Sequence, residues 1–323
     1  MILSSRSQFI ATVAVNQSLC REHFRLVLML PDFPPTEPGQ FVQVLCSDLG
    51  AGELPTSEFD WQPGKRLELR GDELESQIGM LRRPFSLAGR RDRTGRVELD
   101  LIHRVVGIGT NWLAHLSPGD KVGILGPLGN IFRVPPADSL ALMVGGGVGI
   151  PPMLYLAAKL AGRKAVAFAG ALSQDLLPLT ITGESANGAI DIPVPQNNIA
   201  EFARYGIPTV ITTDDGSYGL RGFVTQALEA FLDIATQGAI KPIIYTCGPE
   251  GMMKRVAEIA NQRGLECQIA VERAMACGMG TCQSCCIRVR KPDPSQVPLP
   301  GSSWCYRLAC TDGPVFAAAD LLW

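Results

Sequence analysis

Ser139-Leu140-Ala141-Leu142-Met143-Val144-Gly145-Gly146-Gly147-Val148-Gly149 decides the fold of this 323-residue chain. Residues 139 to 144 read as a buried strand, the glycines as a tight turn, and an Ala/Leu-rich helix is expected from about Pro152 to Ala161. At such a turn, backbone N–H groups and the positive end of the helix face the same point, where a phosphate can sit. Gly145 and Gly147 are therefore candidate nucleotide-binding residues. The spacing is not G-x-G-x-x-G, because Pro152 stands where a glycine is expected. Proline is tolerated in a first helical turn, where its missing N–H would have had no partner. A ligand-free turn explains the glycines equally well.

Toward the carboxyl end the same texture continues. Ala165 to Ala171, Thr209 to Thr213 and Pro242 to Thr246 read as strands, and Val224 to Leu232 and Glu250 to Gln262 as helices. This alternation predicts a doubly wound parallel sheet over residues 137–266. Residues 173–208 read as a long irregular linker. Cys247-Gly248-Pro249 closes a strand at the carboxyl edge of the sheet, where ligands bind in such folds; a turn with a buried thiol is the plainer alternative.

Toward the amino end, residues 1–136 read as short strands punctuated by Gly and Pro: Phe9 to Val15, Phe24 to Met29, Phe41 to Val44, Pro84 to Ala88, Val97 to Val105 and Lys121 to Leu125. The series predicts a small β-barrel or sandwich. Thr110 is expected to cap a short helix running to His115. Residues from about 47 to 80 read as a surface insertion, with a hairpin around Arg66 to Arg70. Arg83-Pro84-Phe85-Ser86 offers a guanidinium fork suited to a pyrophosphate and a serine on the same strand face as Pro84, placed to meet a flavin ring. An edge-strand Arg with a solvated Ser is the competing reading. Gly126-Pro127-Leu128-Gly129-Asn130 reads as an ordinary turn.

Residues 267–323 carry the densest chemistry. Cys277, Cys282 and Cys285 form C-x4-C-x2-C, the spacing that supplies three of four ligands to a 2Fe–2S cluster. Gly278 and Gly280 let the loop bend tightly enough to aim several thiolates at one point. Cys305 and Cys310 are both available as the fourth ligand, whereas Cys286, adjacent to Cys285, points the other way in an extended segment. A structural zinc site is the alternative, but zinc ribbons use paired C-x2-C knuckles and only one such pair occurs. Ten cysteines in a long chain whose start lacks a secretory pattern point to redox chemistry rather than disulfides, and to the cytoplasm. A net charge of −2 gives no reason to expect nucleic acid, and no apolar run is long enough for a membrane span. His23, His103 and His115 stand outside any catalytic pattern, and none is assigned a general-base role.

Taken together, these motifs resemble the ferredoxin–NADP reductase superfamily and, within it, the electron-transfer subunits of NAD-dependent dihydroorotate dehydrogenase. Pro38-Gly39-Gln40-Phe41, Arg83 to Ser86, Ile102-His103-Arg104, Gly107 to Thr110, Gly126 to Asn130, Gly145 to Pro152, Thr212 to Gly219, Cys247 to Lys254, the cysteine loop and Leu308 to Phe316 carry the resemblance. It implies a ferredoxin reductase-like FAD-binding barrel (1–136), a doubly wound NAD-binding domain (137–266) and a 2Fe–2S segment (267–323). It also implies FAD binding by Arg83, Pro84, Phe85, Ser86, Ile102, His103, Arg104, Gly109 and Thr110. The cluster ligands are implied to be Cys277, Cys282, Cys285 and Cys310, since the family's fourth ligand stands just before an acidic-Gly-Pro-Val-Phe stretch, here Asp312 to Phe316. Finally, it implies an FMN-containing dihydroorotate dehydrogenase catalytic subunit as partner in a heterotetramer. Electrons would leave dihydroorotate there and reach NAD⁺ by way of cluster and FAD. A small subunit of a ferredoxin:NADP oxidoreductase or sulfhydrogenase is the nearest alternative, and a non-catalytic zinc-binding interaction module a more distant one. The chain departs from the family in the 47–80 insertion, the 173–208 linker, Ala274 where an Arg is common, and the wide Cys285–Cys310 spacing.

Overall fold

The computed structural model describes residues 7–49, 81–183, 192–235, 242–290 and 303–323. Most of the 47–80 insertion, including the hairpin expected around Arg66 to Arg70, lies outside them.

Six antiparallel strands close a barrel in the order β1-β2-β5-β4-β3-β6: β1 (Ser7–Cys20), β2 (His23–Leu30), β3 (Phe41–Val44), β4 (Arg83–Arg93), β5 (Arg96–Arg104) and β6 (Lys121–Leu128). Alternation sets which side chains fill it. Leu26 and Leu28, Val42 and Val44, Leu99 and Leu101, Val122 and Ile124 point inward and form one buried cluster. Each such side chain contributes about 1.5–3 kcal/mol of burial, so Leu99→Ala, which also opens a cavity, costs about 2–5 kcal/mol.

Helix α1 (Ile108–Ala114) begins one turn earlier than the sequence suggests. Gly107 is the N-cap, and Thr110 sits at the third helical position. Having no side chain, Gly107 offers no cap, so the Thr110 hydroxyl reaches back and accepts from the N–H groups of Val106 and Gly107, at 2.9 and 3.1 Å.

The second layer system is a sheet of β7 (Leu140–Gly146), β8 (Ala165–Ala171), β9 (Thr209–Thr213), β10 (Leu220–Arg221), β11 (Pro242–Cys247) and β12 (Cys267–Ala270), all parallel, in the order β10-β9-β8-β7-β11-β12. Alternate residues of β7 serve opposite faces. Leu142 and Val144 pack with α4 (Val224–Ala235) and α5 (Glu250–Gln262), while Ala141 and Met143 pack with α2 (Ile150–Lys159). The chain leaves β7 toward β8 on one side and returns as β11 on the other, so the topological switch lies between β7 and β11.

The described residues of the linker at 173–208 are more ordered than the sequence suggests. They hold a 3-10 turn (Gln174–Leu176), the short α3 (Ala200–Ala203) and single bridges pairing Ile181 with Ile199 and Gln196 with Thr209. Elements this short have no readable period, and tertiary pairing makes them.

The sheet runs past residue 266, where the cysteine segment was expected to start. β12 begins at Cys267. After β13 (Cys286–Arg290) and β14 (Trp304–Leu308), the chain returns as β15 (Val315–Ala317), antiparallel to β12 at the sheet edge, and ends with β16 (Leu321–Leu322) beside β13. Barrel and sheet are pinned together: the Tyr155 hydroxyl on α2 donates to the Thr36 carbonyl at 2.7 Å, and the Tyr245 hydroxyl on β11 donates to the Arg133 carbonyl at 2.9 Å. Among the described residues no helix is long and apolar enough to cross a membrane.

Candidate functional site

The switch point is a crevice made of backbone. Gly147–Gly149 forms a 3-10 turn leading into α2, with prolines in the first helical turn. A Cβ on Gly149 would stand 2.1 Å from the Cys247 carbonyl oxygen, and one on Gly146 would stand 2.6 Å from Met252 Sδ. Two loops a hundred residues apart in sequence thus nest, and only glycine permits the approach. Burial pushes the Cys247 thiol up to about 12, with Glu272 adding to the rise. That thiol is inert packing, and the residue serves through its carbonyl.

The loops open onto a cleft of about 620 Å³, also lined by His23, Arg104, Asp214, Phe223, Arg255 and Glu272. Its walls come from both layers: Arg104 ends β5 of the barrel, and Gly146 and Gly147 end β7 of the sheet. Phe223 and Glu272 were not singled out from the sequence, and Asp214 entered only within the Thr212 to Gly219 stretch of the resemblance. Asp214 follows β9 directly, so its place at a carboxyl strand end was available as a signal. Burial raises the pKa of both Asp214 and Glu272.

The barrel residues of the FAD reading fall into two groups. Pro84 and Ser86 lie opposite Gln43 and Phe41 on the neighbouring strand. Gly109 brings the start of α1 against Arg83 and Cys46; a Cβ there would lie 3.0 Å from Cys46 Cβ and 3.7 Å from Arg83 Cγ. Arg83, Gly109 and Thr110 therefore gather at one place. Ile102 and His103 are different, because both side chains are buried. Ile102 joins the core beneath the sheet. The His103 ring sits between Phe24 and Phe85, at 5.8 and 6.0 Å between centroids. Burial, then the neighbouring His23, holds its pKa down to about 4. At neutral pH the ring is uncharged, and what positions 102 and 103 offer a ligand is backbone.

The cysteine loop is the opposite kind of site. Gly278 and Gly280 take φ of 69° and 88°, which turns the chain back on itself. The N–H groups of Met279 and Cys282 point at Cys277 Sγ, at 3.3 and 3.4 Å. Cys282 Sγ lies 3.2 Å from the Ser284 hydroxyl, and hydrogen bonds from Ser284 and from Cys277 hold it down to about 6. Cys310 is pushed up to about 12, first by burial, then by the adjoining Cys285 thiol and by Cys277. These contacts pair Cys282 with Cys277 and Cys310 with Cys285. Cys305 lies opposite Val289 in β14 and packs on the core, and Cys286 is exposed at the start of β13. No three His, Cys, Asp or Glu side chains among the described residues surround a single-ion point. Two thiol pairs in the C-x4-C-x2-C loop and beside it, with backbone N–H groups aimed at sulfur, fit a two-iron cluster.

The turn that read as ordinary proves to be a clamp. The Asn130 amide donates to the carbonyls of Asp312 and Val315 at 3.0 and 2.8 Å, and its oxygen accepts from the Val315 N–H at 2.8 Å. The barrel thereby holds the stretch that follows Cys310.

Residues 272–322 match the model of the iron-sulfur cluster binding domain of dihydroorotate dehydrogenase B. The chain is 35% identical over 263 residues to the dihydroorotate dehydrogenase B (NAD(+)) electron transfer subunit of Geobacillus thermodenitrificans, covering 81% of this chain and 87% of that one. It is 31% identical over 285 residues to the subunit so named in Caldanaerobacter subterraneus, covering 87% and 97%. Among solved structures, the NADH-dependent reduced ferredoxin–NADP oxidoreductase superposes with a TM-score of 0.66 at 24% identity, over 97% of this chain and 90% of that one. The ferredoxin reductase in carbazole 1,9a-dioxygenase gives 0.55 at 18%, over 80% and 66%. The solved structures share the fold.

Proposed function

This chain belongs to the family of dihydroorotate dehydrogenase B electron-transfer subunits, and from that membership and the geometry above we propose that it carries electrons between a partner's dihydroorotate site and NAD⁺ in pyrimidine biosynthesis. The observation that carries the reading is a pair of junctions: barrel residues His23 and Arg104 line one cleft with Gly146 and Gly147 of the sheet, and Gln43, opposite Pro84 in the barrel, lies against Gly278 of the four-thiol loop. FAD supplies the exchange between single electrons at a 2Fe–2S cluster and the electron pair carried by NAD.

Each part of the chain has a defined task. Cys277, Cys282, Cys285 and Cys310 hold the cluster, and the N–H groups of Met279 and Cys282 point at sulfur to offset its negative charge. Arg83 grips the FAD pyrophosphate beside Gly109 and Thr110, and Pro84 and Ser86 support the ring. Ile102 and His103 contribute backbone, and Arg104 stands at the cleft mouth. Gly145, Gly147, Cys247, Gly248 and Pro249 form the backbone floor for NAD.

The partner is an FMN-containing catalytic subunit in a cytoplasmic heterotetramer, and dihydroorotate binds there. Two additions to the isolated chain test the division of labour. NADH is expected to bleach the flavin absorbance, and dihydroorotate alone to leave it unchanged until the catalytic subunit is added. Bleaching by dihydroorotate alone would place the substrate site on this chain and overturn the proposal.

A further inference from the structure

Gln43 is fully buried on β3, yet neither its side-chain oxygen nor its nitrogen has a hydrogen-bond partner among the described residues. Leaving a buried amide unpaired is costly, so the position calls for a polar group that the described residues do not supply.

Its surroundings indicate which group. Val42 and Val44 fill the barrel, so Phe41 and Gln43 project from its outer surface. Phe41 packs there in one cluster with Cys285 and Cys310. On the strand side, Gln43 stands directly opposite Pro84. On the other side it meets the cysteine loop: a Cβ on Gly278 would lie 2.8 Å from Gln43 Cγ and 3.1 Å from its Nε2. Gly278 is flanked by Cys277 and by Met279, whose N–H already points at Cys277 Sγ. The amide end of Gln43 thus lies where a third N–H donor to the same group of sulfurs would be.

We propose that Gln43 is a positioning residue of the iron–sulfur centre, its side-chain N–H donating to a sulfur of the cluster and setting the cluster's potential relative to the flavin carried by the adjoining strand. The inference rests on the reading that the four cysteines hold a 2Fe–2S cluster. A hydrogen bond to sulfur stabilises the more negatively charged, one-electron-reduced cluster and raises its potential. Gln43 comes from the barrel, not from the cysteine segment, so tuning and ligation are divided between separate parts of the chain.

Gln43→Leu keeps the size of the side chain and removes the donor. In the full chain, prepared without oxygen, it is expected to retain flavin, iron, sulfide and NADH-driven flavin bleaching. The cluster's midpoint potential should fall by about a tenfold change in its reduction equilibrium, 59 mV for one electron, and the electron paramagnetic resonance signal of the reduced cluster should shift. A filled cluster with unchanged potential and spectrum overturns the inference, as does a shift confined to the flavin. An unsubstituted chain without iron or sulfide overturns the cluster reading itself, which separates the two failures. Should Gln43→Leu lose its cluster, the native glutamine is read directly. Side-chain-¹⁵N-glutamine is introduced into a Gln283→Asn chain, which removes the loop's own glutamine. Asparagine suits the positive φ of 56° there. A ¹⁵N hyperfine coupling to the reduced cluster supports the inference, and its absence overturns it.

Discussion

The glycine crevice and the cysteine loop bind by opposite means. In the crevice, side chains are absent wherever contact is closest: Gly149 rests on the Cys247 carbonyl, and Gly146 on Met252. In the loop, side chains are the contact, and the backbone bends to aim them. A site made by omission is broken by adding an atom. A site made of ligands is broken by removing one. The barrel lies between these extremes, with a few side chains presented on rigid strands.

Cys310→Ala sharpens this contrast most. Iron and acid-labile sulfide are expected to fall to background, because a buried ligand is lost. NADH should still bleach the flavin, since the crevice lies elsewhere. Loss of both functions together would show that the two sites are not separable.

Gly149→Ala is the converse. The added Cβ meets the Cys247 carbonyl at 2.1 Å, so the two loops must part. Overpacking of this kind costs about 1–3 kcal/mol. The KM for NADH is expected to rise at least about tenfold, the equivalent of 1.4 kcal/mol, while the iron content is unchanged. A normal KM would remove the crevice from the NAD site.

A pH-dependent effect tests the barrel. The folded-state pKa of His103 is held below its ordinary 6.5, at about 4. As pH falls below 6.5 the unfolded chain takes up this proton first. The stability from the neutral ring is therefore complete above pH 6.5 and is lost as pH falls through the window from 6.5 to 4, up to about 3 kcal/mol. His103→Phe, stacked on Phe24 and edge-on to Phe85, should flatten denaturant midpoints measured across that window. Equal slopes in both proteins would refute the assignment.

Thr110→Val, the mildest change, removes the hydroxyl that satisfies two N–H groups at the start of α1 and should cost about 1 kcal/mol of unfolding stability. Because that turn adjoins Arg83 through Gly109, flavin retention under dialysis is expected to fall with it, and unchanged retention would detach Thr110 from the FAD site.

These differences also explain what the sequence makes legible. β8, β9 and α5 have the boundaries that their patterning indicates, because buried parallel strands and amphipathic helices carry strong periods. The C-x4-C-x2-C spacing is local and so can be read directly. The meeting of Gly149 with Cys247 was not readable, since nothing in either loop names the other. Nor was the amide of Gln43, which looks like any polar residue alternating along a strand until β3 and the cysteine loop are seen together. The 3-10 turn at Gln174–Leu176 and α3 escaped because they span only three and four residues.

The Asn130 clamp has a consequence for how the molecule is made. Its partners lie 182 and 185 positions further along the chain, so contacts of this span are slow to form and come late. A ribosome extends the chain by about 5–20 residues per second, and the barrel has its full set of strands long before residue 315 emerges. Maturation with iron is therefore expected to follow synthesis, on a chain whose amino-terminal half already stands folded as the mould.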